Sequence, residues 1–214
     1  MLFGLIHNTK ASEPTPIVSM RMEGFEQFVA VAMESEKPGL VVSSAVKFPV
    51  TRRTKKKAYE EVQTHGYEVD LVGANSDKLV LATVKSFFGS RGVVAAAVAG
   101  AGSSSGLYRL LNDEFIRDEV IKAASNRYGY ELDQIYLRLY VGKFSGSDEQ
   151  HVRAWCAEQR LPSGPIEVFN VREVVDLVKE KSGQTTYIDN ASIVALKVLE
   201  AAGEIVLPKA QKSK

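Results

Sequence analysis

The segment from residue 65 to residue 93, HGYEVDLVGANSDKLVLATVKSFFGSRGV, constrains the fold more than any other part of the chain. Its second half, KLVLATVKSFF, is almost continuously apolar, which is typical of a strand that other elements cover on both faces. Asn75, Ser76 and Asp77 precede this strand, and residues of these types favour tight turns. EVDLVGA lies on the other side of the turn and has strand character. We therefore expect a β-hairpin in the middle of a sheet.

Periodic patterns on either side of this hairpin predict helices and further strands. Phe25, Phe28, Val29 and Ala32 recur at helical spacing, and Pro38 stops that helix. Strands are predicted over residues 40–50, 58–74, 78–88, 133–144 and 166–171, and helices over residues 107–129, 148–159, 171–183 and 189–203. This order predicts an α/β protein with a mixed central sheet flanked by helices.

Domain organisation follows from the same patterns and from the length of the chain. We expect an α/β domain over residues 1–183, followed by a C-terminal helix and a basic tail over residues 184–214. Cys156 is the only cysteine, which excludes an intrachain disulfide, and its helical setting predicts a packing role. With no signal-peptide pattern at its start, the chain is expected to be cytoplasmic.

The charge balance is close to neutral. Lys and Arg number 27 and Asp and Glu number 26, so the net charge is +1. Any affinity for nucleic acid must therefore come from local clusters of basic residues. The longest apolar run is too short and too rich in glycine to span a bilayer, so we expect no membrane partner.

The hairpin also carries the residues most suggestive of chemistry. Side chains alternate along a strand, so Glu68 and Asp70 are expected on one face, and Thr83 and Lys85 on one face of the next strand. Pairing through the turn would then bring two carboxylates and an amine together. Carboxylates bind Mg²⁺ or Mn²⁺, and a lysine can help deprotonate a water, which are the needs of phosphodiester hydrolysis. A structural salt bridge between Asp70 and Lys85 is the alternative.

These residues carry a resemblance to a known family. EVDLVGANSDKLVLATVKS resembles the core motif of the PD-(D/E)xK nuclease superfamily, which includes Holliday-junction-resolvase-like and Mrr-like branches. In that motif an acid on one strand is followed by a turn and by an acid-x-lysine on the next strand. MEGFEQFVAVAM resembles the preceding helix, with Glu26 at its acidic position. The resemblance covers roughly residues 21–90.

The resemblance implies a restriction-endonuclease-like fold, a nuclease-like domain and a divalent-metal-dependent endonuclease that hydrolyses DNA. Asp70, Lys85 and Glu68 would be catalytic, and Asp70, Glu68 and Glu26 would hold Mg²⁺ or Mn²⁺. One departure matters, because Thr83 stands where the family has an acid. Either another acid takes over, with Glu68 the best placed, or the site has lost its chemistry.

A basic run precedes the acid-bearing strand. Clustered Lys and Arg release counterions when they meet a nucleic-acid backbone, so this run is a predicted DNA contact. The alternative is a solvated turn between two strands. The residues of the run are Arg52, Arg53, Lys55, Lys56 and Lys57.

The segment SFFGSRGV follows the lysine strand directly. Gly89 and Gly92 permit a close backbone approach, and Ser90 and Arg91 supply donors, so the segment is either a phosphate-contacting loop or a simple connection. Weaker candidates for the site are Gln63, His65 and Thr83.

Three function classes remain open from the sequence. The first is a metal-dependent DNA nuclease, and the second is a degenerate nuclease-fold protein that binds nucleic acid or a protein partner. The third is an adaptor that docks a partner through its C-terminal helices, for which ordinary core packing is the alternative. The sequence also leaves a homodimer open.

Overall fold

A computed structural model describes residues 23–56, 59–184 and 188–208, and of residues 54–56 and 59–61 it describes the backbone only. Its strands are β1 (Val41–Lys56), β2 (Tyr59–Ala74), β3 (Leu79–Lys85), β4 (Ile135–Val141) and β5 (Glu167–Asn170). Its α-helices are α1 (Gly24–Glu34), α2 (Ala95–Val98), α3 (Arg109–Asn112), α4 (Glu114–Tyr128), α5 (Asp148–Glu158), α6 (Val171–Ser182) and α7 (Ala191–Ala201).

The five strands form one open sheet in the order β1-β2-β3-β4-β5. The first three strands run antiparallel to one another, whereas β4 is parallel to β3 and β5 is parallel to β4. A chain segment that contains α2, α3 and α4 makes the crossover from β3 to β4, as a parallel pair requires. The predicted α/β class and mixed sheet are confirmed.

Two hydrophobic cores lie on opposite faces of this sheet. The first core packs α2, α3, α4 and α5 against one face, and the second packs α1, α6 and α7 against the other. β3 contributes Leu79 and Leu81 to the first core and Val80, Ala82 and Val84 to the second. The near-continuous apolar run of this strand thus reflects coverage on both faces, as predicted.

The first helix forms where the apolar spacing predicts it. Phe25 and Val29 are buried in the second core, and the backbone amide of Glu23 donates to the Glu26 carboxylate at 3.3 Å across the first turn. That contact provides an acceptor for one of the amides that a helix N-terminus leaves unsatisfied. The helix ends at Glu34, before Pro38.

The structure differs from the sequence-based prediction in β1. The predicted strand over residues 40–50 continues to Lys56, so the basic run lies mostly within the strand instead of in a turn. Pairing with β2 explains the extension, because the backbone register continues to Lys56 opposite Tyr59, and Thr51 bonds Thr64 through their hydroxyls at 2.9 Å. Hydrogen-bonded threonine pairs across two strands stabilise a sheet.

The long predicted helix over residues 107–129 is divided. A 3-10 turn and the short α3 precede α4, and Asp113 separates α3 from α4. The Asp113 carboxylate accepts the amide of Ile116 at 3.2 Å and the guanidinium of Arg109 at 3.0 Å. An aspartate that caps a new helix in this way ends the preceding one, although the apolar spacing runs through both.

The C-terminal part adds to the second core. Ile193 of α7 is 1% exposed and packs with α1 and α6, whereas Val198 and Leu199 of the same helix are exposed. Cys156 of α5 is buried in the first core, as predicted. None of the helices in the described ranges has the length and apolar character needed to cross a bilayer. Lys57 and the end of the basic tail lie outside the described residues.

Candidate active site

Strands β2 and β3 part at Asp70. They pair only over Leu71–Ala74 and Leu79–Ala82, on either side of a turn in which the Asn75 carboxamide oxygen accepts the amides of Asp77 and Lys78. Where the backbone ladder ends, the side chain of Asp70 takes over as the acceptor. The turn predicted from its residue types thus fixes the register that brings Asp70 next to the end of β3.

Asp70 and Lys85 are in direct contact. The Asp70 Oδ2 atom accepts the backbone amide of Val84 at 2.7 Å and the Lys85 ammonium at 3.2 Å. Both side chains are largely buried, with exposed fractions of 25% for Asp70 and 18% for Lys85. A half-buried lysine needs such a partner, and the carboxylate is held in one orientation by two donors. The expected proximity of these two residues on neighbouring strands is confirmed.

Glu26 is the second acid of this cluster. It lies on the first turn of α1, and burial followed by repulsion from the Asp70 carboxylate raises its pKa above the usual range, whereas the nearby Lys85 lowers it. These interactions place Glu26, Asp70 and Lys85 in one electrostatic environment. A cation bound beside Glu26 would relieve the repulsion that it experiences from the Asp70 carboxylate.

Side-chain alternation does not continue along β2 through Asp70. Val69 and Val72 both belong to the first core, whereas Leu71 belongs to the second. The ladder with β1 also lacks a pair at this point, where Ala45 faces Asp70 with a backbone φ of 52°. Such a local irregularity is a bulge-like feature, and these re-aim side chains.

The structure gives Glu68 a different partner from Asp70. Glu68 lies opposite Lys47 of β1, and its carboxylate is 3.6 Å from the Lys47 ammonium. Both side chains are exposed, by 45% and 56% respectively. Glu68 thus has a surface ion pair, and Glu26 is the acid whose charge interacts with Asp70.

Thr83 occupies the position of the missing motif acid. It is 6% exposed and lies on β3 two residues before Lys85. Its surroundings are largely apolar, since Leu81 and Leu139 beside it belong to the first core. A hydroxyl there adds no charge to the cluster formed by Glu26, Asp70 and Lys85.

A cleft opens beside the lysine. Its volume is about 520 Å³, and it is bordered by α1, the end of β3 and the loop that follows β3. Glu26 and Lys85 line it, together with Phe88 and Leu107, two apolar side chains exposed by 56% and 52%. Phe88 is not among the predicted site residues, although an aromatic pair begins two residues after Lys85 in the sequence.

Arg52 and Arg53 of the predicted basic run do not line this cleft. Arg52 donates to the Asp113 carboxylate at 3.3 Å and lies 5.2 Å from the centre of the Phe115 ring. Arg53 is exposed on the opposite face of β1. The side chains of Lys55, Lys56 and Lys57 lie outside what the structure describes.

The remaining predicted residues divide between two places. Ser90 and Arg91 lie on the loop after β3, where Ser90 lines the cleft and Arg91 donates to the Ser145 hydroxyl at 3.2 Å. Gln63 and His65 lie on β2 with their side chains 3.4 Å apart, and they line a separate groove with Arg52. The structure therefore does not bring Gln63 or His65 into the cleft beside Lys85.

The candidate site is assigned from the positions of its side chains alone. Within residues 23–56, 59–184 and 188–208, no group of three His, Cys, Asp or Glu side chains is arranged to hold a metal ion. Glu23, Glu26 and Lys85 line the cleft, and Asp70 reaches it only through its contact with Lys85. Comparisons of the chain with protein-family models, with curated proteins and with solved structures find no match.

Proposed function

We propose that this protein is a divalent-metal-dependent DNA nuclease of the PD-(D/E)xK type with a restriction-endonuclease-like fold. The observation that carries the proposal is the contact of Lys85 with Asp70, 3.2 Å apart, at the point where β2 and β3 separate, beside a cleft that Lys85 lines together with Glu26 of α1. A helix with an acid, a strand with an acid, a turn and a strand with a lysine is the order that the resemblance implies. The elements α1, β2 and β3 follow that order.

The acid set of the proposed site is Glu26 and Asp70. Two carboxylates suit Mg²⁺, which is commonly held in proteins by one or two carboxylates, with waters and substrate phosphates as its other ligands. The raised pKa of Glu26 supports this fit, since a cation would relieve the repulsion that contributes to it. When bound, the cation would supply positive charge that stabilises the phosphate oxygens during hydrolysis.

Lys85 is the proposed water-positioning residue. Its ammonium carries three donors, and Asp70 accepts one of them. Because Lys85 lines the cleft, its other donors can reach a water or a phosphate oxygen there. Asp70 holds the ammonium in place and is itself fixed by the Val84 amide, so the donors are preorganised for charge that develops on the phosphate.

A second function is favoured by Thr83. This neutral, almost fully buried residue leaves the site one acid short of the family motif. A site with fewer carboxylates holds a cation less tightly. The second candidate is therefore a nuclease-fold protein that has lost cleavage and binds DNA or a protein partner.

Cleavage assays on branched, single-stranded and duplex DNA with Mg²⁺ or Mn²⁺ test the proposal. We expect metal-dependent cleavage by the wild type and losses of about 100-fold or more in Asp70→Asn, Glu26→Gln and Lys85→Met. Glu68→Gln is the matched control, because it removes an acid from the same strand that is paired at the surface with Lys47.

Each outcome has a defined meaning. Undiminished cleavage by Asp70→Asn would overturn the mechanism. A loss in Glu68→Gln with full activity in Glu26→Gln would return the role of second acid to Glu68. Absence of cleavage by the wild type on all three substrates would favour the second candidate.

A further inference from the structure

The loop after β3 is held rigidly in an unusual backbone conformation. Phe87 has a φ of 45°, which is costly for a bulky residue and persists only where surrounding contacts impose it. Its carbonyl accepts the amide of Ser90 at 3.1 Å, which closes a tight turn over Phe88 and Gly89. Strained backbone of this kind concentrates at functional sites.

The segment after β4 fixes this loop from outside. The Lys143 ammonium donates to the Ser90 carbonyl at 2.8 Å. A Cβ at Gly142 would lie 2.4 Å from the Ser86 carbonyl oxygen and 2.8 Å from the Phe88 ring, so only glycine permits this approach. Phe88 also packs against Phe25 of α1 in an edge arrangement with ring centres 5.2 Å apart. These contacts position the Phe88 ring before any ligand binds.

Despite this support, 56% of Phe88 remains exposed, and it borders the cleft that contains Lys85. Leu107, also exposed, lines the same cleft. An aromatic ring that is held in place, partly exposed and next to an apolar side chain can stack on a flat, partly apolar group. The cleft volume of about 520 Å³ falls in the range of small-molecule and nucleotide sites.

The charges around the cleft divide by position, since Glu23, Glu26 and Lys85 line it. Arg91 and Lys143 are exposed cations on and beside the same loop, outside the cleft. They are suited to the phosphates of a strand whose base enters the cleft, as in grooves that combine basic residues with aromatic stacking. A base within a duplex is already stacked on its neighbours, so the ring can engage only an unpaired base.

We propose that Phe88 stacks on an unpaired nucleobase and thereby directs the site to single-stranded or branched DNA. This inference rests on the proposed function for the identity of the polymer. It goes further in naming the structural feature of the substrate and the side chain that selects it. Stacking on an aromatic ring tolerates every base, so no sequence preference is expected from Phe88.

Binding measurements in EDTA test this without requiring cleavage. The probes are a single-stranded oligonucleotide that contains a fluorescent adenine analogue and the blunt duplex of the same sequence. We expect Phe88→Ala to weaken single-strand binding by roughly 5- to 150-fold and to abolish the quenching of the analogue, with duplex affinity unchanged. Phe88→Trp keeps a stacking face and should retain both.

Phe88→Leu separates stacking from support of the loop. Leucine keeps apolar bulk against Phe25 but has no aromatic face, so it should bind single strands as weakly as Phe88→Ala. Leu199→Ala removes exposed apolar surface on α7 and should change neither probe. Thermal unfolding of each variant checks that the fold is intact.

Three results would overturn the inference: no binding of the single strand by the wild type, unchanged affinity in Phe88→Ala, or equal losses for single strand and duplex. Its failure is distinguishable from failure of the proposed function. Phe88-dependent binding by a wild type that does not cleave would refute only the nuclease. If the wild type cleaves DNA but Phe88→Ala binds the single strand as tightly as the wild type, only the stacking inference is refuted.

Discussion

The backbone amide of Val84 donates to the carboxylate of Asp70 at 2.7 Å, at the place where backbone pairing between β2 and β3 has ended. A side chain from one strand thus replaces a backbone acceptor for the next. The same oxygen binds the Lys85 ammonium. Asp70 is therefore both a structural link between two strands and the centre of the candidate site.

This double role predicts different effects for two substitutions of Asp70. Asp70→Ala leaves the Val84 amide and the Lys85 ammonium without this acceptor, and should lower the free energy of unfolding by about 2–3 kcal/mol. Asp70→Asn keeps a carbonyl oxygen for the amide and should cost about 1 kcal/mol. Urea denaturation at neutral pH measures both. Equal stabilities of the two variants would show that the amide contact contributes nothing.

Glu26 should destabilise the folded protein at neutral pH. Burial and the Asp70 charge raise its pKa, so between its unfolded value near 4.5 and its raised folded value the native state binds more protons than the unfolded state. The free energy of unfolding then falls as the pH rises through that window. Glu26→Gln keeps an acceptor for the Glu23 amide and removes the charge, so it should raise stability at pH 7 and flatten the pH dependence.

Titration of Glu26 by NMR provides the corresponding direct measurement. Asp70→Asn removes the second-largest cause of the shift and should lower the pKa of Glu26, while burial keeps it above the ordinary value. An unchanged pKa in Asp70→Asn would mean that the two carboxylates do not interact.

Thr83→Glu restores an acid at the position where the motif has one. Because Thr83 is buried, a carboxylate there should cost about 2 kcal/mol or more, equivalent to a fall of roughly 4–8 °C in Tm. Mn²⁺ should recover part of the loss if the new carboxylate joins Asp70 in holding the ion, since binding to the native state stabilises it. Thr83→Gln has the same size without charge and should show only the metal effect that Glu26 and Asp70 give the wild type. Equal shifts of Tm with Mn²⁺ in both variants would show that the new carboxylate does not join the cation site.

Arg53 should contribute to DNA binding through a phosphate contact. Phe48 and Val50 of β1 pack into the first core. Because side chains alternate along a strand, Arg53 lies on the opposite face, where it is exposed. Arg53→Gln should reduce the slope of log affinity against log salt concentration by about one, equally for all sequences. Arg160→Gln, at an exposed arginine after α5, is the control. An unchanged slope in Arg53→Gln would remove this residue from the interface.

Local sequence patterns were sufficient for much of the fold. The apolar run of β3 predicted a strand covered on both faces, and Asn75 and Asp77 predicted the turn that sets its register with β2. The contact between Asp70 and Lys85 followed from these two predictions, because strand pairing through a short turn leaves little freedom in distance. The apolar spacing around Val29 similarly predicted α1.

The tertiary structure decided what depends on contacts between distant segments. The sequence carries no sign that alternation fails at Asp70, because that irregularity is set jointly by Ala45 on β1 and by the end of pairing with β3. Asp70 acts on the charge of Glu26 because α1 packs on the second core, and Gly142 from beyond β4 permits the close approach of the Phe88 ring. Periodicity determines which residues a strand or helix buries, whereas the packing of those elements determines which exposed side chains share a site.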